Sequence, residues 1–241
     1  LKRLNFHSMN GDPSKLHDIL GYGLFRDAGV VAPRTAFAWL TVNCKPQGLF
    51  VVVEEIDDRF VAANFPDGGE GNLYKEIWPA HVEAEPYLLA LDQTISAADD
   101  PDVTRFQSFA FDLLAAQAED PIDDQAVMDV LRDWTDLDAL IRYVAVDRFI
   151  DHWDGIVAWY CVEIGRTDGQ VRPGACFNHN YFWYQDAQSN RFTLIPWDLD
   201  HTFEYPSPIR TAYRMPAWNE VNASCHLQPV FFGIPARAPA C

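Results

Sequence analysis

Between Leu16 and Phe25 the apolar residues fall at Leu16, Ile19, Leu20, Leu24 and Phe25, the spacing of one face of a helix. Asp12 is placed to cap that helix, Pro13 suits its first turn, and Gly29 ends it. The period then changes. Residues Thr35 to Val42 and Gly48 to Ile56 predict two strands around a turn at Asn43 to Gln47, and Val51, Val52 and Val53 imply a strand covered on both faces. Asp57 to Phe65 predicts a short helix, Gly68-Gly69-Glu70-Gly71 a flexible connector, and Asn72 to Ile77 a further strand.

After Pro79 the three-to-four spacing returns. Val103 to Glu119, Asp123 to Trp134 and Leu137 to His152 predict three helices, with Pro121 separating the first two and Asp136 capping the third. Strand character resumes at Val157 to Ile164, Tyr181 to Gln185 and Arg191 to Ile195, around a loop containing Asp168-Gly169 and Pro173-Gly174. From Pro206 the chain is rich in proline and has no clear period. The order is an α+β chain in two lobes with a cleft between them: a β-rich part over 1–78, a helical part with short hairpins over 79–205, and an irregular tail over 206–241.

Composition narrows the possibilities. In 241 residues, 49% hydrophobic and 14% aromatic content supports a packed core. The net charge of −17 argues against a nucleic-acid surface, which needs clustered Lys and Arg. No apolar run approaches the ~18 residues of a membrane span. The five cysteines form no CxxC pair, although Cys161 and Cys176 are placed to bridge across a hairpin in an oxidising compartment. The chain starts at Leu1 with no Met or leader, and is expected to be a fragment or a processed chain.

Three polar clusters stand where apolar elements end: Asp151-His152-Trp153-Asp154-Gly155, Asn178-His179-Asn180 and Asp198-Leu199-Asp200. Carboxylates and amides gathered in this way suit Mg²⁺, which takes oxygen ligands and shares them with phosphates. Any one cluster is an ordinary cap or turn; three together point to a site. Lys75 follows an apolar stretch on a predicted strand, from which an ammonium can reach a phosphate tail. Trp39, Trp134 and Trp218 read as packing residues, and His7, His17 and His226 have no partner visible in sequence.

These clusters belong to an ordered series: Asn10-Gly11-Asp12-Pro13-Ser14, Leu24-Phe25-Arg26-Asp27-Ala28-Gly29, Ala32-Pro33-Arg34-Thr35, Gly48 to Asp57, Gly71-Asn72-Leu73-Tyr74-Lys75, Trp153-Asp154-Gly155, His179-Asn180-Tyr181 and Ile195 to Phe203. From Leu1 to Phe203 the chain resembles the CotH kinases, atypical protein kinases named after a bacterial spore coat protein. The resemblance implies a kinase-like two-lobed fold, ATP with Mg²⁺ (or Mn²⁺), and transfer to a Ser, Thr or Tyr hydroxyl of a protein substrate, including the chain itself. It implies a place outside the cell or on a cell or spore surface. By position it makes Asp154 the catalytic-loop aspartate and Asp198 the metal aspartate, counterpart of the Asp in a kinase D-F-G motif. It makes Asn180 the second metal-side ligand and Lys75 the phosphate-contacting lysine, and puts Arg34 and Glu54 on the nucleotide side.

Two departures stand out. Ile156 to Asn178 is longer than the family pattern and reads as an inserted hairpin beside the acceptor site. The tail lacks the helical periods of the family's C-terminal lobe, which is therefore expected to be truncated or divergent. Other functions compete. Asp198-Leu199-Asp200 after a strand resembles the nucleophile motif of haloacid-dehalogenase-type phosphatases, but that motif needs a downstream Lys and none follows Lys75. A non-catalytic nucleotide-binding scaffold or surface adhesin, or a transferase of AMP or an amino acid on the same fold, also fits the residues.

Overall fold

The computed structural model describes residues 3–92, 101–118, 123–156, 160–167, 170–203, 228–229 and 235–236, the segments 160–167, 170–177, 228–229 and 235–236 by backbone alone. Helix α1 (His17–Asp27) starts later than the sequence pattern suggests. Asp12 organises the turn in front of it instead. Its carboxylate accepts from the Ser14 N–H (2.8 Å), the Ser14 hydroxyl (2.6 Å) and the His17 N–H (2.9 Å). The helix closes on Gly29 at φ +77°, with Val30 N–H donating to the Phe25 carbonyl and Gly29 N–H to that of Arg26. This 6→1, 5→2 pattern is a Schellman closure, which favours a residue without a Cβ.

Three antiparallel strands, β1 (Asn5–His7), β2 (Thr35–Val42) and β3 (Lys45–Val53), form a sheet in the order β1-β3-β2. The β2–β3 turn is tighter than predicted: Asn43 and Cys44 both sit at positive φ, the twist a two-residue hairpin prefers. Val51 and Val53 are buried while Val52 is half-buried, so only one face of β3 meets the core. Toward the hairpin tip the sheet outruns that core. Trp39 is 70% exposed there, so it is not the packing residue its type suggests.

A short helix, α2 (Asp58–Asn64), is capped by Asp57 and leads to β4 (Asn72–Lys75). Helices α3 (Glu85–Ala90), α4 (Thr104–Ala116), α5 (Asp124–Trp134) and α6 (Leu137–Phe149) follow, and the last two carry Asp123 and Asp136 as side-chain caps. A two-stranded hairpin, β5 (Tyr160–Thr167) and β6 (Gln170–Phe177), sets Cys161 opposite Cys176 in register; its side chains lie outside the described residues. β7 (Tyr181–Gln185) and β8 (Phe192–Pro196) complete a second antiparallel sheet, in the order β4-β7-β8. The described residues thus make an α+β protein.

The strand that carries Lys75 pairs with β7, more than a hundred residues on, and not with the β1-β3-β2 sheet. All five residues of β7 are buried. Trp183 packs edge-on against Phe106, Phe109 and Phe192, and Phe106 lies 4.6 Å from the Phe192 ring. Each such side chain contributes about 1.5–3 kcal/mol of burial, which makes this second sheet a rigid platform. One buried cluster runs from Tyr22 and Phe25 of α1 through Val51 and Val53 to Phe109, Tyr143 and Trp183. Among the described residues no helix is long and apolar enough to cross a membrane.

Candidate active site

The chemistry gathers at one end of the β4-β7-β8 sheet. Lys75 pairs with Phe182, and the next residue, Glu76, donates its N–H to the Tyr181 carbonyl (3.1 Å). Tyr181 pairs with Pro196, and Trp197 N–H donates to the Asn180 carbonyl (3.0 Å). The three strands therefore finish side by side and deliver Lys75-Glu76, Asn180 and Trp197-Asp198 to one edge. Glu76, Asn180 and Asp198 all adopt left-handed backbone, at φ +52°, +61° and +47°. Non-glycine residues rarely do so, and such conformations concentrate at functional sites.

Asn180 joins this edge to the loop after α6. Its amide nitrogen donates to the Asp154 Oδ2 (3.0 Å) and to the Asp154 carbonyl (3.0 Å). Asn178 secures the next stretch, donating to the Ile156 carbonyl (2.7 Å) and accepting from the Tyr181 hydroxyl (2.6 Å). Lys75 is half-exposed, its Nζ 3.9 Å from Glu76 Oε1 and 5.9 Å over the Phe182 ring. Glu76 also accepts the Asn180 N–H (3.2 Å), and its other oxygen lies 3.7 Å from His179 Nδ1.

Beneath Asp154 is a fully buried pair, with His152 Nδ1 2.9 Å from Asp147 Oδ1. Burial alone would depress the His152 pKa, but Asp147, with Asp154 and Asp198 further off, raises it above its ordinary value. Gly155 packs directly on this pair. Asp198 is partly exposed, and burial followed by the Asp200 charge lifts its carboxyl above the usual range; Asp18 adds to the lift while His7 and His152 oppose it. Its N–H donates to the Tyr22 hydroxyl (2.9 Å), the Leu199 N–H donates to Asp18 Oδ1 (3.2 Å), and His7 Nδ1 lies 3.9 Å from Asp198 Oδ1.

Four of the six residues singled out in sequence, Lys75, Asp154, Asn180 and Asp198, thus belong to one constellation. Arg34 and Glu54 do not share in its hydrogen bonds. They pair with each other at the base of the β2–β3 hairpin, through two guanidinium nitrogens and the Arg34 N–H. Among the described residues no three His, Cys, Asp or Glu side chains form a preassembled metal cage. The donor set nevertheless suits a hard cation completed by phosphate oxygens. The Asn180 amide nitrogen is committed to Asp154, which leaves its oxygen to coordinate, and Asp198 sits in a field of carboxylates that a cation would relieve.

Glu76, the partnership of Asp147 with His152, itself a member of the first polar cluster, and the contacts of His7, Asp18 and Tyr22 were missed in sequence. A usable trace of the unread contacts is the spacing of Asp18 and Tyr22, four apart on one face of a predicted helix. His7 and His17 do have partners. His17 Nδ1 lies 2.8 Å from the Asp200 carbonyl oxygen, and its Nε2 is 3.3 Å from Asp12.

Over 210 residues the chain is 21% identical to "Inner spore coat protein H" of Bacillus subtilis (strain 168), an alignment covering 84% of this chain and 50% of that protein. The chain spans about half the length of that relative. The family described as CotH kinase protein matches residues 1–229, nearly the whole chain: the chain belongs to the CotH kinase protein family.

Proposed function

We propose that this chain transfers the γ-phosphoryl group of ATP to a Ser, Thr or Tyr hydroxyl of a protein, from a two-lobed kinase-like arrangement. The observation that carries the reading is the double hydrogen bond from Asn180 to Asp154, one strand away from Asp198. Phosphoryl transfer needs little covalent help from the protein; it needs placement and charge neutralisation. Asp154, oriented by Asn180, faces the acceptor hydroxyl and takes its proton as the new P–O bond forms and the bond from the γ-phosphorus to the bridging oxygen breaks, releasing ADP. Lys75 steadies the phosphate tail as a point charge. Asp198 and the Asn180 oxygen hold Mg²⁺ or Mn²⁺, which when bound neutralises the phosphate charge. Arg34 and Glu54, bound to each other, line the nucleotide side from the first sheet. In this reading 1–78 serves the nucleotide and 79–205 supplies the loops, with β4 belonging to the first part by sequence and to the second by hydrogen bonds. The relative's name as a spore coat protein supports a place at a spore or cell surface.

The test is labelled phosphate transfer from ATP to the chain itself and to generic protein acceptors, with intact-mass analysis of the products. Asp198→Ala and Asp154→Asn should each abolish Mg²⁺-dependent labelling. Addition of AMP or of an amino acid would redirect the reading to another transferase, and nucleotide binding with no added mass to a scaffold. Full activity of Asp198→Ala would remove it.

A further inference from the structure

We infer that one face of α1 is a clamp that fixes the backbone of the Asp198 turn, making Asp18, Gly21 and Tyr22 positioning residues for the Asp198 carboxylate; its bearing on metal binding rests on the function proposed above. The Asp198 turn leaves the β7–β8 ladder at Trp197, so the following amides have no strand partner. Two of them are taken up by α1 side chains: the Asp198 N–H by the Tyr22 hydroxyl and the Leu199 N–H by Asp18 Oδ1. Both acceptors are fully buried. The Asp18 carboxylate is held at its other oxygen too, where His7 Nδ1 from β1 lies 2.9 Å away.

Gly21 lies between them in sequence. A Cβ there would come within 2.8 Å of Leu199 Cδ1 and 3.3 Å of Leu199 Cβ, so its lack of a side chain lets the helix approach the turn this closely. Leu199 is fully buried, which anchors the turn from the core side. Asp198 itself is held at φ +47°, where a non-glycine residue stays only when its surroundings hold it. With consecutive amides bound and the next side chain locked, the direction of the Asp198 carboxylate is set by α1. That gives the Asp-x-x-Gly-Tyr spacing a purpose beyond helix formation.

The experiment is amide hydrogen exchange by NMR on the whole chain, paired with Mn²⁺–ATP affinity measured by EPR. Tyr22→Phe keeps the ring and deletes the acceptor. It should speed exchange at Asp198 about tenfold, leave amides of β7 unchanged, and weaken Mn²⁺–ATP binding several-fold. A role in stability alone would raise exchange throughout the core and leave the affinity of the folded protein unchanged. Asp18→Asn keeps an oxygen for Leu199 N–H and should retain most affinity, whereas Asp18→Leu should not. Unchanged exchange at Asp198 in Tyr22→Phe overturns the clamp, as does raised exchange with unchanged affinity when Asp198→Ala does abolish binding. If wild type and Asp198→Ala bind Mn²⁺–ATP equally, the proposed function fails, and the exchange data alone decide the clamp: local loss of protection upholds it and no change overturns it.

Discussion

Gly155→Ala probes whether the Asp154 loop is braced by the buried pair below it. Gly155 is buried and its φ is not in the left-handed region, so alanine meets no backbone penalty there. The obstacle is steric. An added Cβ would sit 2.4 Å from His152 Nδ1 and 2.8 Å from both His152 Cγ and Asp147 Oδ1. These are not the free ends of flexible side chains: the imidazole and carboxylate are fully buried and hydrogen-bonded to each other. Overpacking of this kind costs about 1–3 kcal/mol, and prising apart a buried pair costs up to ~3–5 kcal/mol. Partial displacement of both should therefore cost about 2–4 kcal/mol, which for a chain of this size lowers Tm by roughly 4–16 °C.

Urea denaturation checks the value, with Gly23→Ala as the reference. Gly23 lies inside α1 and its added Cβ would meet nothing closer than Arg26 Nη2 at 4.0 Å. That substitution should gain about 0.5–1 kcal/mol from helix propensity. Asp154 directly precedes Gly155, so Gly155→Ala should also cut transfer by on the order of a hundredfold at a displacement near 1 Å. A Gly155→Ala protein within about 0.5 kcal/mol of wild type, or stabilised as Gly23→Ala is, would refute the bracing argument.

Glu76→Ala removes the acceptor for the Asn180 N–H and should slow transfer about fivefold, the equivalent of ~1 kcal/mol; Glu76→Gln retains an acceptor and should lie closer to wild type by steady-state kinetics. Asp12→Asn tests a pH dependence: burial pushes the Asp12 carboxyl up, but the hydrogen bonds from His17 and Ser14 outweigh it and leave the pKa below its ordinary value. A carboxylate depressed on folding stabilises fully above its unfolded value of about 4 and loses that contribution as pH falls through the folded value, so wild type and Asp12→Asn should converge in acid when Tm is followed from pH 7 downward. Trp39→Ser, at an exposed site, should change stability by less than about 0.5 kcal/mol in the same urea assay.

The elements readable from sequence were those with a local cause. Thr35 to Val42 and Tyr181 to Gln185 match β2 and β7 residue for residue, because β-branched and aromatic runs bounded by turns define them. Asp136 caps the helix it precedes, as its position in sequence predicts, since a cap is a bond between near neighbours; Asp57 and Asp123, expected as first residues of their helices, prove to be caps as well. β1 and α3 leave no mark in the sequence pattern, and β6 shows only as the second arm of the hairpin that Cys161 and Cys176 face across. β1 is three residues long and exists through its pairing with β3, a partner more than forty residues away. α3 is a six-residue helix, too short to show a period. The start of α1 shifted because Asp12 reaches across a turn to the His17 N–H, which short-range capping rules do not foresee.

The site divides along the same line. Asp154, Asn180, Lys75 and Asp198, the residues proposed for transfer, stand out in sequence because that chemistry would call for their residue types and an ordered set of motifs carries them. The groups that hold them were not, since each acts over a long sequence separation or from inside the core. Glu76 looked like a neighbour of Lys75, yet its carboxylate accepts from Asn180, 104 residues away. Tyr22 carries no signal in sequence beyond its place in a predicted helix, yet its hydroxyl meets an amide 176 residues on. Asp18 and Tyr22 are fully buried, so loss of their acceptors would leave turn amides unsatisfied with no water at hand, a cost of about 1–3 kcal/mol for each. That cost falls on the turn carrying Asp198, whose left-handed backbone has little stability of its own. A substitution in α1 can therefore disable the site while every residue of the recognisable motif remains in place.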